Sequence, residues 1–179
     1  MVPAPSIPGA TEPILKAAHL FRMRWHSGVR CGARVVLSGR TDDYSGRMPG
    51  IVEEAMIALA LRQPIYVLGD LAAPPKLVGE LLELATTASP PVLLAPATLL
   101  DLNAVAQLFR PSGFEELPLS TEEALSYIAG HAIGGLGWMP NGLTVEENRK
   151  LFVLSGDDEG EREAAVGLVR RGLLRVFDK

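Results

Sequence analysis

The sequence predicts an α/β fold with a mainly parallel sheet, and three observations lead there. Residues 33–37 hold Val35, Val36 and Leu37, a short apolar β-branched run closed by Ser38 and Gly39. Residues 65–68 repeat that pattern before Gly69, so both runs read as buried strands. Between them Pro49 stands where a first helical residue belongs, and Ile51, Ala55, Ala58 and Leu59 share one helical face that runs to about Arg62. Strand, loop, helix and strand in that order give a right-handed crossover between parallel neighbours.

The elements around this unit follow from the same rules. Pro3, Pro5, Pro8 and Pro13 fix the backbone angle and remove donors, so residues 1–13 read as an extended lead-in and residues 14–179 as one domain. Ile14, Leu15, Ala18, Leu20 or Phe21, and Trp25 recur at helical spacing up to about His26, before a break at Gly28. Pro74 and Pro75 open another helix, and residues 91–95 form a further apolar, strand-like run. Thr98 with Asp101, Ser120 with Glu123 and Thr144 with Glu147 are start signals for helices near 99–109, 121–131 and 145–154. The last two fit the reciprocal capping box, in which each end of the motif satisfies a free backbone N–H of the other. Residues 134–142 are too rich in Gly and Pro for a regular element, and Ala164, Ala165, Leu168, Val169 and Leu173 mark a terminal helix.

Composition narrows the function. The 179 residues are 47% hydrophobic and 21% charged, enough apolar surface for a single core. With 17 basic against 21 acidic side chains and no basic run interleaved with aromatics, binding to a nucleic-acid backbone is not expected. Cys31 is the single cysteine, which excludes an intrachain disulfide and a multi-cysteine metal site and suits a cytoplasmic location. His19, His26 and His131 have no metal-ligand spacing, and neither Asp42-Asp43 nor Asp157-Asp158-Glu159 orders enough oxygens for Ca²⁺, so these acidic groups read as solvated turns. No apolar stretch is long enough to span a bilayer and no signal-peptide pattern opens the chain, so a soluble protein without a membrane partner is expected.

The segment richest in chemistry is residues 38–54, which runs from the end of the first strand to the start of the crossover helix, where open α/β sheets bind ligands. Gly39, Gly46 and Gly50 allow close backbone approach, Arg40 and Arg47 supply positive charge, and the helix start offers N–H groups, together suiting a phosphate. Glu53 or Glu54 would accept from ribose hydroxyls, while Thr41, Met48 and Pro49 complete the loop. Arg24 could reach the same ligand from the preceding helix, Tyr44 could stack on a base, and Gly69 marks the end of the second strand. The plainer reading is that the glycines form turns, the glutamates favour a helix start, and Arg22 and Arg24 end a solvated helix.

Ala33-Arg34-Val35-Val36-Leu37-Ser38-Gly39-Arg40, followed by Tyr44-Ser45-Gly46-Arg47-Met48-Pro49-Gly50-Ile51-Val52-Glu53-Glu54-Ala55, resembles the signature of a branch of the SLOG superfamily found in bacterial conflict and defence systems. That superfamily includes Lonely Guy phosphoribohydrolases and DprA-like proteins. Pro49-Gly50 with Glu53 and Glu54 is similar to its PGGxGTxxE nucleotide-binding motif, and Asn141-Gly142-Leu143-Thr144-Val145-Glu146-Glu147-Asn148-Arg149 resembles the branch's C-terminal region. The likeness spans about 19–173. It implies a Rossmann-like three-layer sandwich and a cytoplasmic module that senses an NAD or ADP-ribose-type signal, requires no cofactor, works beside a TIR or other effector and forms a homo-oligomer.

Departures from the pattern qualify what is implied. Arg40 stands where the branch has Lys after two glycines, Ser38 replaces the first glycine, and Ile51 and Val52 stand at the glycine and threonine of the enzyme motif. Gly69-Asp70-Leu71-Ala72-Ala73 replaces a glycine-rich turn, and the opening strands of the superfamily are not recognisable before His19. The resemblance therefore implies a partial domain. It ranks a binding module first, a phosphoribohydrolase using Glu53 or Glu54 to stabilise an oxocarbenium-like charge second, and a degenerate oligomerisation module third.

Overall fold

In the computed structural model, the described residues are 9–84, 102–133 and 140–178. They form an α/β unit with eight helices, α1 (Glu12–Gly28), α2 (Gly50–Ala60), α3 (Ala73–Leu81), α4 (Thr121–Ala129), α5 (Val145–Phe152) and α6 (Glu159–Phe177) being the α-helical ones and two short 3₁₀ turns, Gly69–Leu71 and Ala106–Leu108, completing the set. Two strands, β1 (Arg34–Val36) and β2 (Ile65–Val67), pair in parallel with Arg34 opposite Ile65, Val35 opposite Tyr66 and Val36 opposite Val67. The strand, helix, strand order and the parallel pairing are those the sequence predicts.

Strand periodicity makes the arrangement three-layered. Successive side chains of β2 point to opposite faces, so Ile65 and Val67 join the core formed by α1, α2, α3 and α4, while Tyr66 and Leu68 join a second core with Leu151, Leu154, Ala165 and Leu168 of the α5 and α6 region. This is the Rossmann-like layering, carried among the described residues by two strands. Helix α2 lies deepest, with Val52, Ala55, Met56, Ile57, Ala58 and Leu59 all buried, because it packs on α1, α3, α4 and both strands. Among the described residues no helix is long and apolar enough to cross a membrane.

Several expectations change in detail. Helix α1 begins at Glu12, ahead of the predicted Ile14, because Pro13 in its first turn forfeits only an N–H that has no intrahelical acceptor. Pro49 is the N-cap of α2, and the first helical residue is Gly50. Strand β2 is buried throughout, but β1 is not: Val35 is 39% and Leu37 44% exposed, leaving Val36 as the residue of that run in the core. Of the helix expected near 99–109, residues 102–109 are described, and there 106–108 make a 3₁₀ turn closed by i to i+3 bonds that tuck Val105, Leu108 and Phe109 inward. Both capping boxes form, Ser120 with Glu123 and Thr144 with Glu147. Asp158, read as part of a solvated acidic turn, caps α6 by accepting from the Glu161 N–H at 2.8 Å. The apolar run at 91–95, Thr98 with Asp101, and most of the 134–142 stretch lie outside the described residues.

Candidate functional site

The loop from β1 to α2 encloses an open pocket of about 410 Å³, at the C-terminal end of the strand and the N-terminus of the helix. Its walls include Gly39, Arg40, Tyr44, Gly50 and Glu54 from the predicted segment, and Leu20 and Arg24 from α1. Ile51 at the start of α2 packs against Gly39, where an added Cβ would lie 2.6 Å from Ile51 Cγ1, so only glycine lets the loop close down on the helix. No side chain caps α2, which leaves the first-turn amides to the loop.

A chain of charges runs from the pocket wall, at Arg24 and Glu54, into the core. Arg24 Nη1 donates to Glu53 Oε2 at 2.6 Å, and Arg47 Nε donates to the other oxygen, Oε1, at 2.7 Å. Glu54 receives Arg34 Nη1 at 3.2 Å and faces Arg24 Nε at 3.6 Å. Three guanidiniums thus meet two carboxylates, with one positive charge in excess. Arg24 also lies across the start of α2: a Cβ on Gly50 would come within 2.6 Å of its Nη2. Both Gly50 and the α1 helix therefore serve to hold one cation over the helix N-terminus, where helix dipole and guanidinium act on an anion together.

The predicted residues divide by burial. Arg47, Met48 and Glu53 are wholly buried and do not line the pocket. Arg47, whose charge the sequence reading aimed at a phosphate, is inside the protein: its guanidinium lies against the adjacent Phe21 and Phe109 rings, at 4.7 and 5.1 Å from their centroids, and Nη1 donates to the Pro118 carbonyl at 2.6 Å. Burial pushes this guanidinium down from its ordinary value, and Glu53 opposes the shift. Glu53, with both oxygens occupied, leaves Glu54 as the carboxylate of the pair that reaches the pocket. Arg40 stands on the rim, 74% exposed and 3.6 Å from Asp43. Tyr44 is half-buried; burial raises its phenol above the ordinary value while the Thr121 side chain works the other way. Thr41 and Gly46 flank the pocket without lining it, although Gly46 also leaves room for Arg24, whose Nη1 would lie 3.4 Å from an added Cβ. Pro49 is buried as the N-cap of α2.

Gly69 serves packing. A Cβ there would overlap the Phe152 ring, as would one on Gly79, so the two glycines form the slot that receives α5 against the β2 end. The space beside Gly69, a candidate ligand position at the end of the second strand, is thus filled by the Phe152 side chain. Arg34 was not singled out from the sequence, since its partner Glu54 is twenty residues away across the crossover and no local spacing signals the contact.

The second resembling segment, 141–149, is built differently. Asn141 Nδ2 donates to the Ile65 carbonyl at 2.7 Å and to Asn148 Oδ1 at 2.8 Å, and the Tyr66 hydroxyl donates to the Asn141 carbonyl at 2.8 Å. Gly142 adopts φ +78, where a side chain would be strained, and a Cβ would also meet the Gly172 carbonyl of α6. Glu147 caps α5 and binds Arg171 and Arg175 of α6, each at 2.7 Å. The Thr144 N–H and these guanidiniums hold its carboxyl down to about 2. Among the described residues no group of three His, Cys, Asp or Glu side chains is gathered for a metal ion.

A family model described as SLOG cluster2 matches residues 9–151, most of the chain. No curated protein and no solved structure matches it.

Proposed function

The chain belongs to the SLOG cluster2 family, a membership that points to a nucleotide-related function, and on that premise we propose that the pocket between β1 and α2 binds a nucleotide-derived ligand of the NAD or ADP-ribose type. The observation that carries this reading is the excess positive charge of the Arg24, Glu53, Arg47, Glu54 and Arg34 chain, delivered to the pocket by Arg24 at the start of a helix. A phosphate there meets a guanidinium and free amides, Arg40 closes from the rim, Glu54 accepts from a ribose diol, and Tyr44 offers a ring to the base. The volume falls within the roughly 300–1,000 Å³ of small-molecule sites.

Binding without hydrolysis is favoured by the state of the two carboxylates. Cleavage of an N-glycosidic bond needs a carboxylate free to stabilise the developing positive charge, whereas Glu53 is saturated by two arginines and Glu54 is in contact with two more guanidinium edges. The module we propose is a sensor in a bacterial conflict system, passing its state to an effector of the TIR kind, with copies pairing along the β1 edge where Val35 and Leu37 are exposed.

Calorimetric titration with NAD, ADP-ribose, cyclic ADP-ribose isomers and AMP, followed by chromatography of each mixture, tests the proposal. Saturable binding with intact ligand, abolished in Arg40→Ala/Glu54→Ala, is expected. Release of free base or nicotinamide would instead make this a phosphoribohydrolase, and absence of binding to all of them would sink both readings.

A further inference from the structure

The opposite side of α1 carries a second cleft, of about 370 Å³, between that helix and the turn that leads to Pro111. At about 100° per residue, Leu20 and Arg24 project toward the candidate pocket and Arg22 and His26 project away from it. The two cavities share no lining residue.

The chemistry of this cleft is one-sided. Arg22 and Arg110 are exposed at its mouth, and among the described residues lining it there is no carboxylate. His26 adds a donor: Arg30 Nη1 lies 2.7 Å from His26 Nδ1, and since a guanidinium only donates, Nδ1 accepts and the neutral ring carries its proton on Nε2. The wall is aromatic and held in place, the Trp25 indole being packed edge-on against Phe114 with centroids 4.7 Å apart and planes at 71°. Two planar cations and a ring N–H around an indole match one kind of guest, a flat ring that carries an anionic group.

We propose that this cleft is a second ligand site, specific for a planar aromatic anion whose ring lies on Trp25 and whose phosphate or carboxylate is taken by Arg22 and Arg110. Its wall residue Phe21 is also the ring on which Arg47 stacks. A guest here lies against the ring that separates the cleft from the buried Arg47.

Phenyl phosphate is the probe. The sequence has two tryptophans, Trp25 and Trp138, so Trp138→Phe leaves Trp25 as the sole indole reporter, and calorimetry of the same titration gives an independent reading. Saturable quenching by phenyl phosphate is expected, with phenol and inorganic phosphate each weaker by about tenfold or more because each supplies half of the recognition. Arg22→Ala/Arg110→Ala removes two exposed side chains, keeps the helical circular dichroism, and is expected to weaken phenyl phosphate by about tenfold or more. Sodium benzoate, tested alongside, distinguishes carboxylate from phosphate as the preferred anion. The proposal is overturned if no saturable binding occurs, if phenol binds as well as phenyl phosphate, or if Arg40→Ala/Glu54→Ala abolishes binding while Arg22→Ala/Arg110→Ala does not.

Discussion

The two faces of the strand pair are held by opposite means. On the α2 side the buried connection is ionic: Arg47 and Glu53 are fully enclosed, and the link continues through Arg24 to Glu54 and Arg34 at the pocket. On the α5 side it is neutral: Asn141 and Asn148 are buried, and their amides bond each other and the backbone of β2 and the α5 entry. The charges of that second region stay outside, where Glu147 meets Arg171 and Arg175. A buried ion pair costs desolvation that its attraction barely repays, whereas a satisfied amide pair costs little. Neutral amides suffice to pin helices to a strand. Charge brought inside beside a pocket does more, because it orients a cation, Arg24, toward that pocket.

The comparison breaks most sharply at Glu53. Glu53→Gln leaves the enclosed Arg47 guanidinium without its counter-charge, and a loss of about 3–5 kcal/mol in urea unfolding is expected; a loss below about 1 kcal/mol would show that Arg47 reaches water. Gly69→Ala comes next. Its methyl overlaps Phe152 in a slot that Gly79 also closes, so a destabilisation of about 1–3 kcal/mol is expected in the same assay. On the neutral side, Asn148→Ala removes the bonds to Asn141 and to the Thr144 carbonyl and should cost about 1–3 kcal/mol, with no effect on nucleotide binding.

Glu147 sharpens the contrast through pH. Its carboxyl is held below the ordinary glutamate value of 4.5, at about 2. A depressed folded-state value contributes stability above the unfolded pKa and loses it as pH falls toward the folded one. The wild type should therefore lose stability between about pH 4.5 and pH 2, and Glu147→Gln should start lower and show a flatter profile across that window, read by thermal unfolding. The smallest effect on stability belongs to Gly50→Ala, since its methyl meets only the far end of the Arg24 side chain. A change within about 0.5 kcal/mol is expected, yet displacing that guanidinium should weaken nucleotide binding by about tenfold in calorimetry. Unchanged binding in that variant would remove Arg24 from the site.

Local rules carried far along this chain. The order of β1, α2 and β2, the two capping boxes and the start of α3 all depend on neighbours within a few residues, and they are legible for that reason. Long-range pairing was not. Whether β1 is covered depends on what lies beside it, so its apolar run did not reveal that Val35 and Leu37 face outward. Asp158 was missed although Asp158 and Glu161 have helix-start spacing, because an acidic cluster in a glycine-bearing stretch equally suits a solvated turn.

The sequence by itself determined the strand, helix and strand of the β1–α2–β2 unit, that the two strands run parallel, and that glycine, arginine and glutamate gather where β1 gives way to α2, since backbone sterics, periodicity and capping act locally. Only the tertiary structure decided which of those side chains face the pocket. Arg40 and Arg47 are seven residues apart on one loop, yet the first is solvated and the second is buried against Phe21 and Phe109, from α1 and from the turn before Pro111. The same holds for Glu53 and Glu54, adjacent in the chain, which a helix turns about 100° apart, so that one is enclosed by Arg24 and Arg47 and the other opens on the pocket. Burial is a property of what packs around a residue, and the groups that enclose Arg47 and Glu53 include Phe21, Phe109 and Arg24, from distant parts of the chain.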